Sequence, residues 1–343
     1  VIGEQAGESI CFTVEQPVLW NAEEPYLYTL ELETEREKIV QKIGIRTVEI
    51  VDRKLLINGT SVKLKGVNRH DSNPYHGAAV TKEDALTDLR LMKEHNVNAI
   101  RTSHYPNAPW FSELCDEYGF YLISESDMES HGCGEVYSKE DKDWVSQIAK
   151  ASGFAKAILD RVQKNVIRDK NRTCILFWSL GNESYAGDDI EAMNTYYKEK
   201  QDGRLIHYES SFYNRAYEDT ISDVESRMYA KPYEIEEYLD NDPKKPYLLC
   251  EFMHDMGNSM GGLGTYMHLI DKYDMYHGGF IWDFIDQALY VKDEVTGKEV
   301  LRYGGDFDDR PSDYEFSGDG IVFANRVEKP AMQEVRYYYG LYR

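Results

Sequence analysis

The chain has 343 residues, 42% of them apolar, and its 61 acidic against 39 basic residues leave a formal charge of -22. A chain of this size and composition buries a large core, so disorder is excluded, and the charge repels phosphate backbones and anionic lipid, so neither nucleic acid nor a membrane is an expected partner. No apolar run approaches the length of a membrane span.

Residues 1 to about 50 alternate apolar and polar positions in Ile10–Val14, Tyr26–Leu32 and Ile39–Ile43, the period-two signature of antiparallel strands. Fifty residues are too few for a complete sandwich, so the segment reads as the tail of a β domain that begins upstream of Val1. From residue 51 a second domain is expected to run to residue 343. Its short apolar stretches at Lys63–Asn68, Ala99–Ser103, Phe120–Ser126, Cys174–Gly181, Leu205–Glu209, Asp223–Tyr229, Tyr247–Phe252 and Gly279–Phe284 alternate with amphipathic segments. A helix is expected over Thr81–His95, with Thr81 and Asp84 as a capping box and Ala85, Leu89 and Met92 on one face. A second helix is marked by Pro109 near its start and Gly119 past its end, and a third by the row Phe154, Ile158, Val162 and Val166. Eight strands with intervening helices describe a (β/α)8 TIM barrel. A doubly wound open sheet is the competing fold, but no Gly-x-Gly-x-x-Gly follows the first strand.

A barrel builds its active site at the C-terminal ends of its strands. Glu183 ends the apolar run from Cys174, and Glu251 ends Pro246–Cys250. Burying two carboxylates at one mouth is costly unless they are paired or used, and cleavage of a glycoside needs two of them. The alternative is that each is paired with a neighbouring Arg or Lys. Asn68 to Asp71, Ser103 and His104, and Glu125, Asp127, Glu129 and His131 follow the first three strands. Glu129, His131 and Glu183 offer oxygen and nitrogen donors for a divalent cation, magnesium suiting the carboxylates best, with manganese and zinc compatible with one imidazole and a plain surface loop as the alternative. The glycine-rich stretch Met256–Gly264 lacks the Gly-Lys-Ser/Thr ending of a phosphate loop. With 27 Tyr and 5 Trp the chain is rich in rings that can face a sugar. Cys11, Cys115, Cys133, Cys174 and Cys250 are odd in number and without CxxC spacing, which points away from disulfides and zinc and toward a reducing, cytoplasmic setting.

At these strand ends the sequence resembles the β-galactosidases of glycoside hydrolase family 2. The strings that carry the resemblance are Gly66–His70, Arg101–Asn107, Glu129–Gly132, Trp178–Ser184, Leu249–Phe252, Met256–Ser259 and Gly279–Asp283, in family order. Residues 1–50, with Leu19-Trp20 and Pro25–Tyr28, are similar to the immunoglobulin-like β-sandwich that precedes the family's barrel. The resemblance implies a retaining β-galactosidase with Glu251 as nucleophile and Glu183 as acid/base. It implies Asn182 on the sugar 2-hydroxyl, Tyr229 on the nucleophile, His70, His104 and His254 on the galactosyl group, and Trp282 as the floor of the sugar site. Glu129, His131 and Glu183 match magnesium ligands. The Phe316 carbonyl and Asp319 match sodium ligands, with Asp where the family has Asn. The jelly-roll and C-terminal domains that complete the family's pocket lie outside this sequence, and homo-oligomerisation of the full-length protein is left open. The competing functions are another exo-glycosidase of the family, such as a β-glucuronidase, and an inactive carbohydrate-binding barrel.

Overall fold

A computed structural model describes residues 10–132 and 153–342, with Gly3 and Gly7. Cys133 lies outside the described residues. The chain first forms the antiparallel hairpin of β1 (Tyr28–Glu33) and β2 (Lys38–Ile43), then a meander of β3 (Val48–Val51), β4 (Lys54–Ile57) and β5 (Thr60–Ser61). The meander's turns, Asp52-Arg53 and Asn58-Gly59, are left-handed at both residues, the twist that tight hairpins require. Ile10–Val14 forms no strand. The N-terminal segment packs on the barrel. Trp20 is buried edge-on to Tyr121 and donates to the Asp116 carbonyl at 2.8 Å, Arg46 Nε donates to the Thr173 carbonyl at 2.6 Å, and Leu55 N donates to His277 Nε2 at 3.1 Å.

Eight parallel strands follow: β6 (Leu64–Asn68), β7 (Ala99–Arg101), β8 (Tyr121–Glu125), β9 (Ile175–Ser179), β10 (Leu205–His207), β11 (Glu225–Met228), β12 (Tyr247–Phe252) and β13 (Tyr276–Ile281). Their order, β10-β9-β8-β7-β6-β13-β12-β11, is that of a TIM barrel with one open ladder, between β10 and β11. Asp223 spans that seam: its N–H donates to the Ile206 carbonyl at 2.9 Å and its Oδ2 accepts from Ile206 N at 2.7 Å.

The helices stand between the strands as their apolar rows require. In α1 (Lys82–Glu94) Thr81 and Asp84 form the capping box, and Ala85, Leu89 and Met92 are buried, each large side chain contributing about 2 kcal/mol by burial. Pro109 opens α2 (Pro109–Tyr118), and Gly119 closes it in the left-handed conformation. Ile158, Val162 and Val166 are buried on α3 (Ala155–Asp169), while Phe154 falls just before it and is exposed. The remaining helices are α4 (Asp188–Lys200), α5 (Pro232–Asp240), α6 (Leu263–Met267), α7 (Leu269–Lys272) and α8 (Ala331–Leu341), and a hairpin, β14 (Leu289–Lys292) and β15 (Glu299–Arg302), follows the last barrel strand. That last strand starts three residues earlier than the apolar run suggests. A Cβ at Gly278 would lie 2.3 Å from the Leu64 carbonyl oxygen, so glycine here serves close strand approach. Among the described residues no helix is long and apolar enough to cross a membrane, and Cys11, Cys115, Cys174 and Cys250 are free thiols.

Candidate active site

At the mouth of the barrel the side chains leaving β6, β7, β8, β9 and β12 meet around one guanidinium. Arg101, fully buried, donates through Nε and Nη2 to both oxygens of Glu125 (2.7 and 3.1 Å), through Nη1 to Asn68 Oδ1 (3.0 Å) and Glu251 Oε1 (2.6 Å), and through Nη2 to Asn182 Oδ1 (2.8 Å). Burial opposes its charge, but Glu125 and Glu251 more than offset that and push its proton affinity well above the ordinary value. Glu251 accepts a second donor on its other oxygen, Tyr229 Oη at 2.8 Å. A carboxylate held at both oxygens is fixed in orientation and steadied as an anion.

Glu183 sits in a different environment. It is half-buried at the end of β9, its N–H donates to Glu209 Oε1 at 2.8 Å, and its Oε2 lies 3.3 Å from His131 Nδ1. Burial, followed by the charge of Glu251, raises its pKa to about 7, with Glu129 and Glu209 adding to the rise and His131 opposing it. The charge of Glu251 thus helps Glu183 to keep its proton. Left-handed φ angles at Glu183 (43°), Tyr229 (51°), Met253 (75°) and His254 (39°) re-aim the chain at these strand ends, a strain that clusters where function demands it.

The His70 and His104 imidazoles pack with Trp282. His104 stacks on Trp282 with ring centroids 5.2 Å apart and planes 10° from parallel, and His70 stands edge-on to both rings. Burial, and then for His104 the charge of Arg101 and for His70 that of His104, lowers both to about 3, so both are neutral near pH 7. His104 Nδ1 lies 2.7 Å from Glu125 Oε1, and since a carboxylate only accepts, Nδ1 carries the proton. Its Nε2 lone pair, 3.8 Å from Glu251 Oε1, is left for a hydroxyl donor.

Asn182 joins both halves of the site, accepting from Arg101 and donating through Nδ2 to Glu129 Oε2 at 2.7 Å. Glu129 is exposed beside it, and His131 reaches Glu183 rather than Glu129. Two carboxylates that disfavour each other's charge, with an imidazole alongside, fit a hard divalent cation in kind. Among the described residues no three such side chains are already arranged around one point. On the floor, Trp282 Nε1 donates to Asp319 Oδ2 at 3.1 Å, and His254 Nε2 lies 3.6 Å from the same oxygen. His254 packs edge-on to both Tyr229 and Phe316. Asp319 Oδ1 is buried with no hydrogen-bond partner among the described residues, which suits a cation at this carboxylate.

The sequence missed the centre of this arrangement. Asn68 and Glu125 were visible as polar residues at strand ends and Arg101 only within a string similar to the family's, yet nothing marked Arg101 as the hub. Below it a buried relay runs from Glu125 Oε2 to Ser179 Oγ (2.9 Å), on to His207 Nδ1 (2.9 Å), and from His207 Nε2 to Ser226 Oγ (2.8 Å). The only available signal was polar residues recurring inside apolar strands.

The profile of the TIM barrel domain of glycosyl hydrolases family 2 matches residues 48–343, and a second profile of glycosyl hydrolases family 2 matches residues 1–46. The β-galactosidase large subunit of Latilactobacillus sakei is 54% identical over 327 residues, 94% of this chain and 52% of that protein. That of Lactobacillus helveticus is 53% identical over 334 residues, 95% of this chain and 53% of that protein. The chain thus spans about half the length of these relatives. A β-D-glucuronidase structure from Dictyoglomus thermophilum superposes with a TM-score of 0.70 at 23% identity, covering 95% of this chain and 60% of that one, a likeness of fold. On the profile over its barrel and on relatives that share half its residues, the chain belongs to glycosyl hydrolases family 2.

Proposed function

We propose that this chain carries the catalytic centre of a retaining β-galactosidase, which hydrolyses terminal non-reducing β-D-galactosides such as lactose through a covalent galactosyl-enzyme. The observation that carries the reading is the pairing at one mouth of Glu251, with Arg101 and Tyr229 donating to its two oxygens, and Glu183, whose pKa burial and Glu251 raise to about 7. Glu183 protonates the glycosidic oxygen while Glu251 attacks the anomeric carbon, forming the ester and releasing the aglycone. Water then gives its proton to Glu183 and attacks the same carbon, so two inversions return the original configuration. Trp282 floors the galactosyl ring, Asn182 meets the 2-hydroxyl, and neutral His70 and His104 with His254 meet its other hydroxyls.

Magnesium held by Glu129, His131 and Glu183 would supply positive charge that lowers the proton affinity of Glu183. Sodium held by the Phe316 carbonyl and Asp319 would offset the carboxylate charge at the floor. Both relatives are named as large subunits, which supports assembly with further copies or chains. Residues 1–50 are read as the end of an immunoglobulin-like domain, and the free thiols support a cytoplasmic setting.

The test is the configuration of the first-formed sugar. Proton NMR during hydrolysis of a nitrophenyl β-galactoside is expected to show β-galactose first, with the α anomer growing in later. An α-first product would overturn the double displacement.

A further inference from the structure

Glu183 can protonate the glycosidic oxygen only if the leaving group lies on its own side of the cleft. The loop of Glu183 and the loop after β10, joined by the bond from Glu183 N–H to Glu209 Oε1, carry two tyrosines that the reaction scheme leaves unused. Tyr185 follows Glu183 by two residues, and Tyr213 follows the short 3-10 turn Ser210–Phe212 after β10. Their ring centroids are 5.8 Å apart with planes inclined by 47°, and Tyr213 is 60% exposed. Burial, then the charges of Glu183 and Glu209, raises the Tyr213 phenol above its ordinary value. Trp282, proposed as the floor of the galactosyl site, forms a separate stack with His104.

The pair is braced. Tyr208 Oη donates to the Tyr185 carbonyl at 2.8 Å, and Asn214 Nδ2 donates to the next carbonyl, Ala186, at 3.0 Å. Phe212 packs edge-on against Tyr213 at 5.3 Å and is itself covered by the guanidinium of Arg227 at 4.4 Å. An exposed ring held this way has already lost the freedom that binding would otherwise cost it. We infer that Tyr185 and Tyr213 form the leaving-group platform, on which the apolar face of a second pyranose or of an aryl group stacks while Glu183 delivers its proton. The inference rests on the proposed galactosidase reading of Glu183.

The full-length enzyme and its Tyr213→Ala, Tyr185→Ala and Tyr213→Trp variants are compared on lactose, p-nitrophenyl β-galactoside and β-galactosyl fluoride, whose leaving atom has no face to stack. Tyr213→Ala and Tyr185→Ala are each expected to lower kcat/KM on the first two about tenfold and leave the fluoride within about twofold, while Tyr213→Trp restores the loss. Equal loss on all three substrates would make the tyrosines structural and overturn the platform, as would no loss on any. A wild-type enzyme that cleaves none of the three overturns the galactosidase reading itself, a result distinct from either.

Discussion

At the scale of single residues, the account turns on which side chains hold the two carboxyls unlike each other. Arg101 serves five acceptor atoms on four side chains at once, and a lysine, with one point charge, cannot replace its planar fork. Arg101→Ala leaves Glu125 buried without its cation, so it is expected to lower kcat at least 100-fold and to cost about 3–5 kcal/mol of stability, read from turnover and thermal unfolding together. Wild-type turnover in that variant would remove Arg101 from the site. Glu183→Ala should depress hydrolysis of lactose far more than that of dinitrophenyl β-galactoside, whose leaving group needs no proton. Equal depression of both would contradict an acid role. Glu183 and Glu251 were legible in the sequence because each ends an apolar strand. Arg101 was not, because its strand is three residues long and does not reveal which way a side chain points. The left-handed backbone at Glu183, Tyr229 and His254 was equally hidden, since none is the glycine that signals such a turn.

At the scale of elements, helices were read best where caps mark them, as with Thr81 and Asp84 on α1 and Pro109 and Gly119 on α2. The end strand β13 begins three residues before the expected Gly279, and the open seam between β10 and β11 had no sequence signal because a side chain replaces the ladder there. Asp223→Ala removes that substitute and should cost about 1–3 kcal/mol, seen as a lowered Tm, while Asp223→Asn should cost less by keeping an oxygen for Ile206 N. If neither variant lowers Tm, Asp223 does not close the seam. A pH effect belongs to α2. Burial raises the Asp116 carboxyl from 3.8 to about 6, although its Oδ1 accepts from Cys174 N at 2.7 Å. The folded chain therefore binds the proton more tightly than the unfolded one, and this carboxyl's contribution to stability falls by up to about 3 kcal/mol as pH rises from 4 to 6. Denaturant unfolding of Asp116→Asn across that range should lose this part of the slope. An unchanged slope would assign it to other carboxyls.

At the scale of the whole molecule, a charge of -22 and a mouth crowded with carboxylates favour cations and neutral, hydroxylated substrates. Chelation of divalent ions in the full-length enzyme is expected to lower activity, and added magnesium to restore it. Activity indifferent to both would dismiss Glu129 and His131 as ligands. The barrel and its eight strands were legible from alternation alone, whereas the convergence of residues from five strands on one guanidinium depends on tertiary closure that no local pattern encodes. The central claim, that Glu251 is a nucleophile at this mouth, is met most directly by treating the full-length enzyme with a 2-fluoro galactoside and sequencing the labelled peptide by mass spectrometry. The expected result is one galactosyl adduct on Glu251, absent in Glu251→Gln. An adduct on another residue, or none in an enzyme that still turns over galactosides, would contradict it.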